Sequence, residues 1–108
     1  MKKLLDESEY STEERREIIY ENFLMNGAVL SINTLSDFYT VSRSSIVNDI
    51  KSVEKMLKEQ DLFLKRDSSG TFLDGKEVDI REAQNDFIYR KIERDILFNE
   101  VSRLNMPK

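Results

Sequence analysis

The 108-residue sequence predicts a mostly α-helical α+β fold that contains one two-stranded β-hairpin. Two signals support the helices: serines in helix-capping positions, and apolar residues that recur every three or four positions. The hairpin is indicated over residues 62–73, where short apolar runs flank a polar turn. With 39% hydrophobic and 35% charged residues, three glycines and one proline, the composition is typical of a globular domain.

The first helix is predicted from its two ends. Ser11 and Glu14 have the spacing of a capping box, in which each side chain bonds the other residue's backbone N–H. We therefore expect a helix over residues 12–26, ended by Gly27 in a left-handed conformation. A short extended connection is predicted over residues 28–32, directly after this helix.

Two further helices are expected around a two-residue turn. Asn33 is a good N-cap, which predicts a short helix over residues 34–39. Ser42 is the next N-cap, placed to accept from the backbone N–H of Ser45, and predicts a longer helix over residues 43–59. The apolar positions of that helix step by four, three and four residues, which is the spacing of one helix face: Ile46, Ile50, Val53 and Leu57.

The last third of the chain predicts a hairpin and a long helix. Residues 62–66 and 71–73 are expected to be strands, joined by a four-residue turn over 67–70. Residues 78–104 have a helical pattern with apolar residues on more than one face. One face should pack on the domain, against the helix over 12–26, and the remainder is expected to dimerise or to contact a following domain.

Helix, helix-turn-helix and hairpin in this order predict a winged helix-turn-helix over residues 11–77. Residues 1–10 are expected to be a flexible tail, and residues 78–108 a C-terminal helix for dimerisation or linkage. The helix-turn-helix needs a small shared core, for which we predict Leu35, Phe38, Val41, Ile46 and Ile50.

The opposite face of the predicted recognition helix, about residues 43–59, is polar and basic. It would enter the major groove of DNA with Arg43, Ser44, Val47, Asn48, Lys51, Lys55 and Lys58. Arg43 can pair with guanine O6 and N7, and Asn48 is the type of side chain that pairs with adenine. The last two lysines have the simpler interpretation of solvated surface residues.

Phosphate contacts are expected at both ends of this region. Ser42, Ser44 and Ser45 offer hydroxyls and helix N-terminal N–H groups, although capping alone explains Ser42. Lys51 suits the opposite DNA strand. The hairpin adds four candidates for phosphate or minor-groove contact: Lys65, Arg66, Ser68 and Ser69.

Charge and missing residue types narrow the function. The net charge of −4 argues against unselective coating of nucleic acid, yet residues 41–66 hold six Lys/Arg against four Asp/Glu. Histidine and cysteine are absent, so we expect no metal site, no cofactor and no enzyme. No apolar run approaches the roughly 18 residues of a membrane span, and we expect a cytoplasmic protein without a membrane partner.

Residues 18–88 resemble the Mga-type helix-turn-helix domain of bacterial regulators that also carry phosphotransferase-system regulation domains. Such regulators include the mannitol and lichenan operon activators and antiterminator-like proteins. The resemblance lies in LSDFYTVSRSSIVNDI (residues 35–50), in LFLKR (62–66), in GTFLDGKE (70–77) and in Arg81. It implies a winged-helix fold, promoter DNA as the ligand, and control of sugar-utilisation or virulence operons.

In these regulators the phosphorylated histidines lie in separate domains. This histidine-free chain therefore resembles an isolated DNA-binding piece or a small relative, and phosphotransferase-system proteins would act only through domains absent here. The expected partners are double-stranded promoter DNA and a second copy of the chain. Two alternatives stay open: a winged-helix interaction module without DNA binding, favoured by the acidic net charge, and an RNA-binding antiterminator piece.

Overall fold

A computed structural model describes the chain from Tyr10 to Asn105, with side chains described as far as Leu97. The elements follow one another as α1 (Thr12–Asn26), α2 (Ile32–Tyr39), α3 (Arg43–Lys58), β1 (Phe63–Asp67), β2 (Gly70–Asp74) and α4 (Glu77–Asn105). This order confirms the predicted fold class, a mostly α winged helix-turn-helix with a two-stranded wing and a long C-terminal helix. The tail predicted over residues 1–10 lies outside the described residues, apart from Tyr10.

The hydrophobic core lies between α1 and α3, and α2 packs across α3. Apolar side chains of both long helices fill it, joined by the residue that precedes β1: Ile19, Phe23, Leu24, Ile46, Val53, Leu57 and Leu62. All four apolar positions predicted on one face of α3 are buried. Complete burial of such a side chain contributes about 1.5–3 kcal/mol, so this stripe supplies much of the free energy that holds α3 against the core.

The helix ends that were predicted from capping residues are confirmed at α1 and α3. The Glu14 N–H donates to the Ser11 hydroxyl over 3.0 Å, and the Ser11 N–H donates back to the Glu14 carboxylate over 2.9 Å. Gly27 ends α1 in the left-handed region, with φ 60°. The Ser45 N–H donates to the Ser42 hydroxyl at the start of α3 over 3.1 Å.

Two predictions about α2 are wrong. The helix begins at Ile32 and its N-cap is Ser31, not Asn33, because the Ser31 hydroxyl accepts from the Thr34 N–H over 3.1 Å. Phe38 does not join the shared core: it is 71% exposed, and Tyr39 is buried in its place. Positions 38 and 39 flank the face that Leu35 defines, and only tertiary packing selects between them.

The wing also differs from its predicted limits. β1 starts one residue later, because Leu62 is buried in the core, and β2 runs from Gly70 to Asp74. Asp67 pairs with Gly70, which shortens the predicted four-residue turn to Ser68 and Ser69. The expected extended connection after α1 is a single bridge, in which Leu30 and Thr71 exchange two hydrogen bonds of 2.8 Å.

The first part of α4 packs against the domain, as predicted. Ala83 is buried, the Gln84 side chain donates to the Leu24 carbonyl over 2.9 Å, and the rings of Tyr20 and Phe87 lie 5.9 Å apart. Further along, the apolar side chains are exposed: Ile88, Tyr89, Ile92, Ile96 and Leu97. Over the described part of the chain, no helix combines the length and the hydropathy needed to cross a membrane.

Gly70 provides a test of how tightly the wing is held. Its φ is 138°, and a Cβ built there would lie 2.8 Å from the Leu30 carbonyl oxygen. We expect Gly70→Ala to lower the free energy of unfolding by about 1–3 kcal/mol. A side chain would strain the backbone at this positive φ, and its Cβ would clash with the Leu30 carbonyl oxygen. Urea denaturation measures this.

Gly27→Ala is the matched control, since Gly27 also has a positive φ but has open space around its Cα. It should cost only the conformational part, about 1 kcal/mol. Equal losses in the two variants would show that contact with Leu30 does not constrain the wing.

Candidate nucleic-acid interface

Ser36 holds the turn between α2 and α3 from both sides. Its carbonyl accepts from the Val41 N–H over 3.2 Å, and its hydroxyl donates to the Val41 carbonyl over 2.6 Å. Thr40, between the two helices, has the left-handed φ of 57° that the tight turn requires. Sequence reasoning did not single out Ser36, although a serine one turn before a tight turn is a recognised local acceptor and donor.

The outward face of α3 presents the predicted side chains to solvent. Arg43, Ser44, Asn48 and Lys51 are exposed, and Val47 is half-buried. The first four residues of this face line one shallow concavity: Arg43, Ser44, Val47 and Asn48. The structure thus brings together the candidates for base contact on the N-terminal half of α3.

The first turn of α3 is suited to an anion. It contains no acidic residue, whereas the first turns of α1 and α4 each contain two. The hydroxyls of Ser42 and Ser45 bond to each other over 3.0 Å and complete the cap. The partial positive charge of the α3 N-terminus is therefore not offset by a carboxylate in its own first turn.

The wing candidates form a separate group on the hairpin. Lys65, Arg66, Ser68 and Ser69 are all exposed, but none of them lines the concavity on α3. The Lys65 ammonium pairs with the Asp74 carboxylate over 3.2 Å. Across residues 10–97, Arg66 has no carboxylate within ion-pair distance, and the same holds for Arg43 and Lys51.

A buried ion cluster that sequence reasoning missed lies behind this face. Asp49 of α3 is 0% exposed and accepts hydrogen bonds from two arginines of α1. The Arg15 guanidinium binds it through two nitrogens, Nε to Oδ2 and Nη2 to Oδ1, the latter over 3.1 Å. Arg16 donates from Nε to Oδ1 over 2.8 Å. The bond with Asp49 raises the pKa of Arg15, so the guanidinium of Arg15 stays charged.

A sequence signal for this cluster does exist. Asp49 falls within the apolar stripe of α3, between Ile46 and Ile50, so the helical period places a carboxylate on the buried face. A buried carboxylate needs a cationic partner. Arg15 lies four residues before the buried Ile19 and has the corresponding position on α1.

The cluster changes the charge of the interface. Asp49 is the one acidic residue of α3 before Glu54, and its carboxylate is enclosed by two guanidiniums rather than exposed. Between residues 41 and 66, the other acidic residues follow Lys51: Glu54, Glu59 and Asp61. The exposed charges on α3 before Glu54 are therefore Arg43 and Lys51.

The comparison with protein families agrees with this geometry. The profile of the Mga helix-turn-helix domain matches residues 5–87, about three quarters of the chain. The chain belongs to this family. It is therefore related to DNA-binding domains of transcription regulators, and the match includes α1, α2, α3 and the whole wing. No curated protein and no solved structure matches the chain.

The buried cluster gives a direct test of what holds α3 against α1. We expect Asp49→Asn to lower the free energy of unfolding by about 3–5 kcal/mol, because the buried Arg15 guanidinium would lose its counter-charge. Thermal or urea denaturation measures this. Asp86→Asn, which breaks the exposed pair with Arg90, is the control and should cost less than about 1 kcal/mol.

The double variant Arg15→Met with Asp49→Leu separates charge from packing. It should be more stable than Asp49→Asn, since no buried charge is left without a partner. If Asp49→Asn is as stable as the unchanged protein, the cluster does not hold the two helices together.

Proposed function

We propose that this chain reads promoter DNA by inserting the N-terminal half of α3 into the major groove. The observation that carries the proposal is the exposed face formed by Arg43, Ser44, Val47 and Asn48 directly after a clamped helix-turn-helix turn. The family, whose domains bind DNA, supports the same function. Because the opposite face of α3 is packed against α1, the helix can present these side chains to base edges without further ordering.

Each side chain of this face has a chemical role in the proposal. Arg43 donates to O6 and N7 of a guanine, and Asn48 forms the paired contacts that identify an adenine. Val47 packs against a thymine methyl group. Ser42, Ser44 and Ser45, with the N–H groups of the first turn of α3, hold a backbone phosphate.

Contacts farther from the proposed base contacts are assigned to Lys51 and to the wing. Lys51 lies two turns after Ser44 on α3 and suits a phosphate of the other strand. Arg66, Ser68 and Ser69 suit a phosphate or the minor groove. Lys65 forms an ion pair with Asp74, so its contribution to phosphate binding should be weaker than that of Arg66.

The C-terminal part of the chain is proposed to pair two copies. The exposed apolar residues of α4 support this, since their burial would stabilise a second helix laid along them: Ile88, Tyr89, Ile92, Ile96 and Leu97. In this division, residues 11–77 read DNA and residues 78–108 dimerise or link to a further domain.

The resemblance to Mga-type regulators supports a biological setting. We propose a cytoplasmic regulator of a bacterial sugar-utilisation or virulence operon. Phosphotransferase-system proteins would influence it only through additional domains that respond to sugar supply.

A second candidate function is a winged-helix module that binds protein and not DNA. The net charge of −4 and the exposed apolar part of α4 favour it. The salt dependence of DNA affinity distinguishes the two functions, because only a DNA-binding protein releases counterions from phosphates.

Arg43→Ala tests the proposed base contact. Duplexes selected from a randomised pool by the unchanged protein should bind the variant about 1–3 kcal/mol more weakly, and the variant should tolerate changes at one guanine position. A dimeric protein should also select an inverted repeat with half-sites about 34–36 Å apart or a multiple of this. Arg90→Ala on α4 is the control; equal affinities for Arg43→Ala and the control would contradict the assignment of Arg43.

Titration with salt tests DNA binding as such. With about six phosphate contacts, the plot of log affinity against log salt concentration should have a slope near −5. A flat plot for the unchanged protein would favour the interaction module.

A further inference from the structure

We infer that Arg16, a residue of α1, is an additional phosphate ligand of this interface, held in position by Asp49 of α3. The inference rests on the proposed function, because it adds one contact to the proposed DNA complex. It assigns to a helix outside the helix-turn-helix a direct part in binding.

The charge of the buried cluster is the first argument. Two guanidiniums surround one carboxylate, so one positive charge remains without a counter-charge. Arg15 is buried and directs two nitrogens to Asp49. Arg16 directs only Nε to Asp49, and its side chain is 33% exposed. The surplus charge therefore lies on Arg16.

The remaining nitrogens of Arg16 are accessible. The bond from Nε is the hydrogen bond that the structure gives this side chain. Within the described part of the chain, no buried side-chain nitrogen or oxygen lacks a partner, so the two Nη atoms reach solvent. Glu13, one turn earlier on α1, forms no ion pair with Arg16 across residues 10–97. The outer edge of the guanidinium is thus available to an anion.

The position of Asp49 on α3 determines where that edge lies. Residues three or four apart lie one above the other on a helix, so Ser42, Ser45 and Asp49 form one row. This row borders the outward face, next to Asn48. Because Asp49 holds Arg16, the guanidinium lies at the end of the same row that begins with the N-terminal turn of α3.

The bond to Asp49 also favours phosphate binding on entropic grounds. An exposed arginine or lysine must lose rotamer freedom when it binds a phosphate. The Arg16 guanidinium is already fixed through Nε, and its two Nη atoms can donate to a second anion without breaking that bond. Such a contact is independent of base sequence.

The experiment measures the salt dependence of binding to a 30-base-pair DNA duplex of mixed sequence by the full chain. Loss of one phosphate contact should reduce the magnitude of the log–log slope by about 0.9. We expect this reduction for Arg16→Gln, with affinity about eightfold lower at 0.1 M salt and nearly unchanged at 1 M salt. Arg16→Lys retains the charge and should restore the slope.

Arg90→Gln is the matched control. Arg90 is also an arginine paired with an aspartate, but it lies on α4, and its loss changes the net charge of the chain by the same amount. Its slope should equal that of the unchanged protein. If Arg16→Gln and Arg90→Gln have equal slopes, the inference is wrong even though the proposed function stands.

A measurement on the unchanged protein covers the case in which Arg16→Gln fails to fold. In NMR spectra, the side-chain resonances of Arg16, assigned through Arg16→Lys, should shift when the same duplex is added. Unshifted Arg16 resonances with shifted Arg43 resonances would overturn the inference alone. A flat salt plot for the unchanged protein would overturn both the inference and the proposed function.

Discussion

The orientation of α3 depends on one buried ion cluster. Apolar contacts between α1 and α3 supply most of the favourable free energy, but they are not directional and allow neighbouring packings. Asp49 accepts three hydrogen bonds from Arg15 and Arg16, and these bonds have a fixed geometry. Burying these charges costs free energy, and the bidentate hydrogen bonds from Arg15, together with the bond from Arg16, offset that cost. The cluster therefore restricts the rotation of α3 more than it adds stability.

The parts of the fold that were predicted correctly depend on local interactions. Ser11 and Ser42 cap helices through residues three positions away, and the apolar stripe of α3 has a period that any single helix imposes. The errors arise where two local solutions compete. Asn33 and Ser31 both suit an N-cap, and Phe38 and Tyr39 both suit a buried position. Contacts with α1 and α3 determine which residue of each pair takes the position.

The interface shows the same division. The exposed candidates on α3 followed from the helical period, and the structure places Arg43, Ser44 and Asn48 on the predicted face. The residues behind that face could not be predicted in the same way, because Arg15 and Asp49 are 34 positions apart. A carboxylate within an apolar stripe indicates that a partner exists, but it does not say which element supplies the partner.

Net charge is a poor guide to this molecule because its charges are segregated. Acidic side chains collect around a groove between the C-terminal end of α3 and α4, including Glu59, Asp61, Asp79, Glu82 and Asp86. Between Arg43 and Lys51, α3 has two exposed cations, and its one aspartate is enclosed. A polyanion near such a surface is repelled from the α4 side and attracted to the start of α3. In the proposed DNA complex, the distribution of charges rather than their sum would orient the protein.

Helix α1 supports α3 at two points. Near the start of α1, Arg15 and Arg16 hold Asp49; one turn later, the Tyr20 hydroxyl accepts from the Gln60 side chain just beyond α3 over 2.6 Å. One point of support would leave α3 able to pivot, whereas two points along the helix remove that freedom. The Tyr20 ring also contacts Phe87, so α4 is joined to the same support. Tyr20 therefore joins α4 to the end of α3 that is farthest from Arg43 and Ser44.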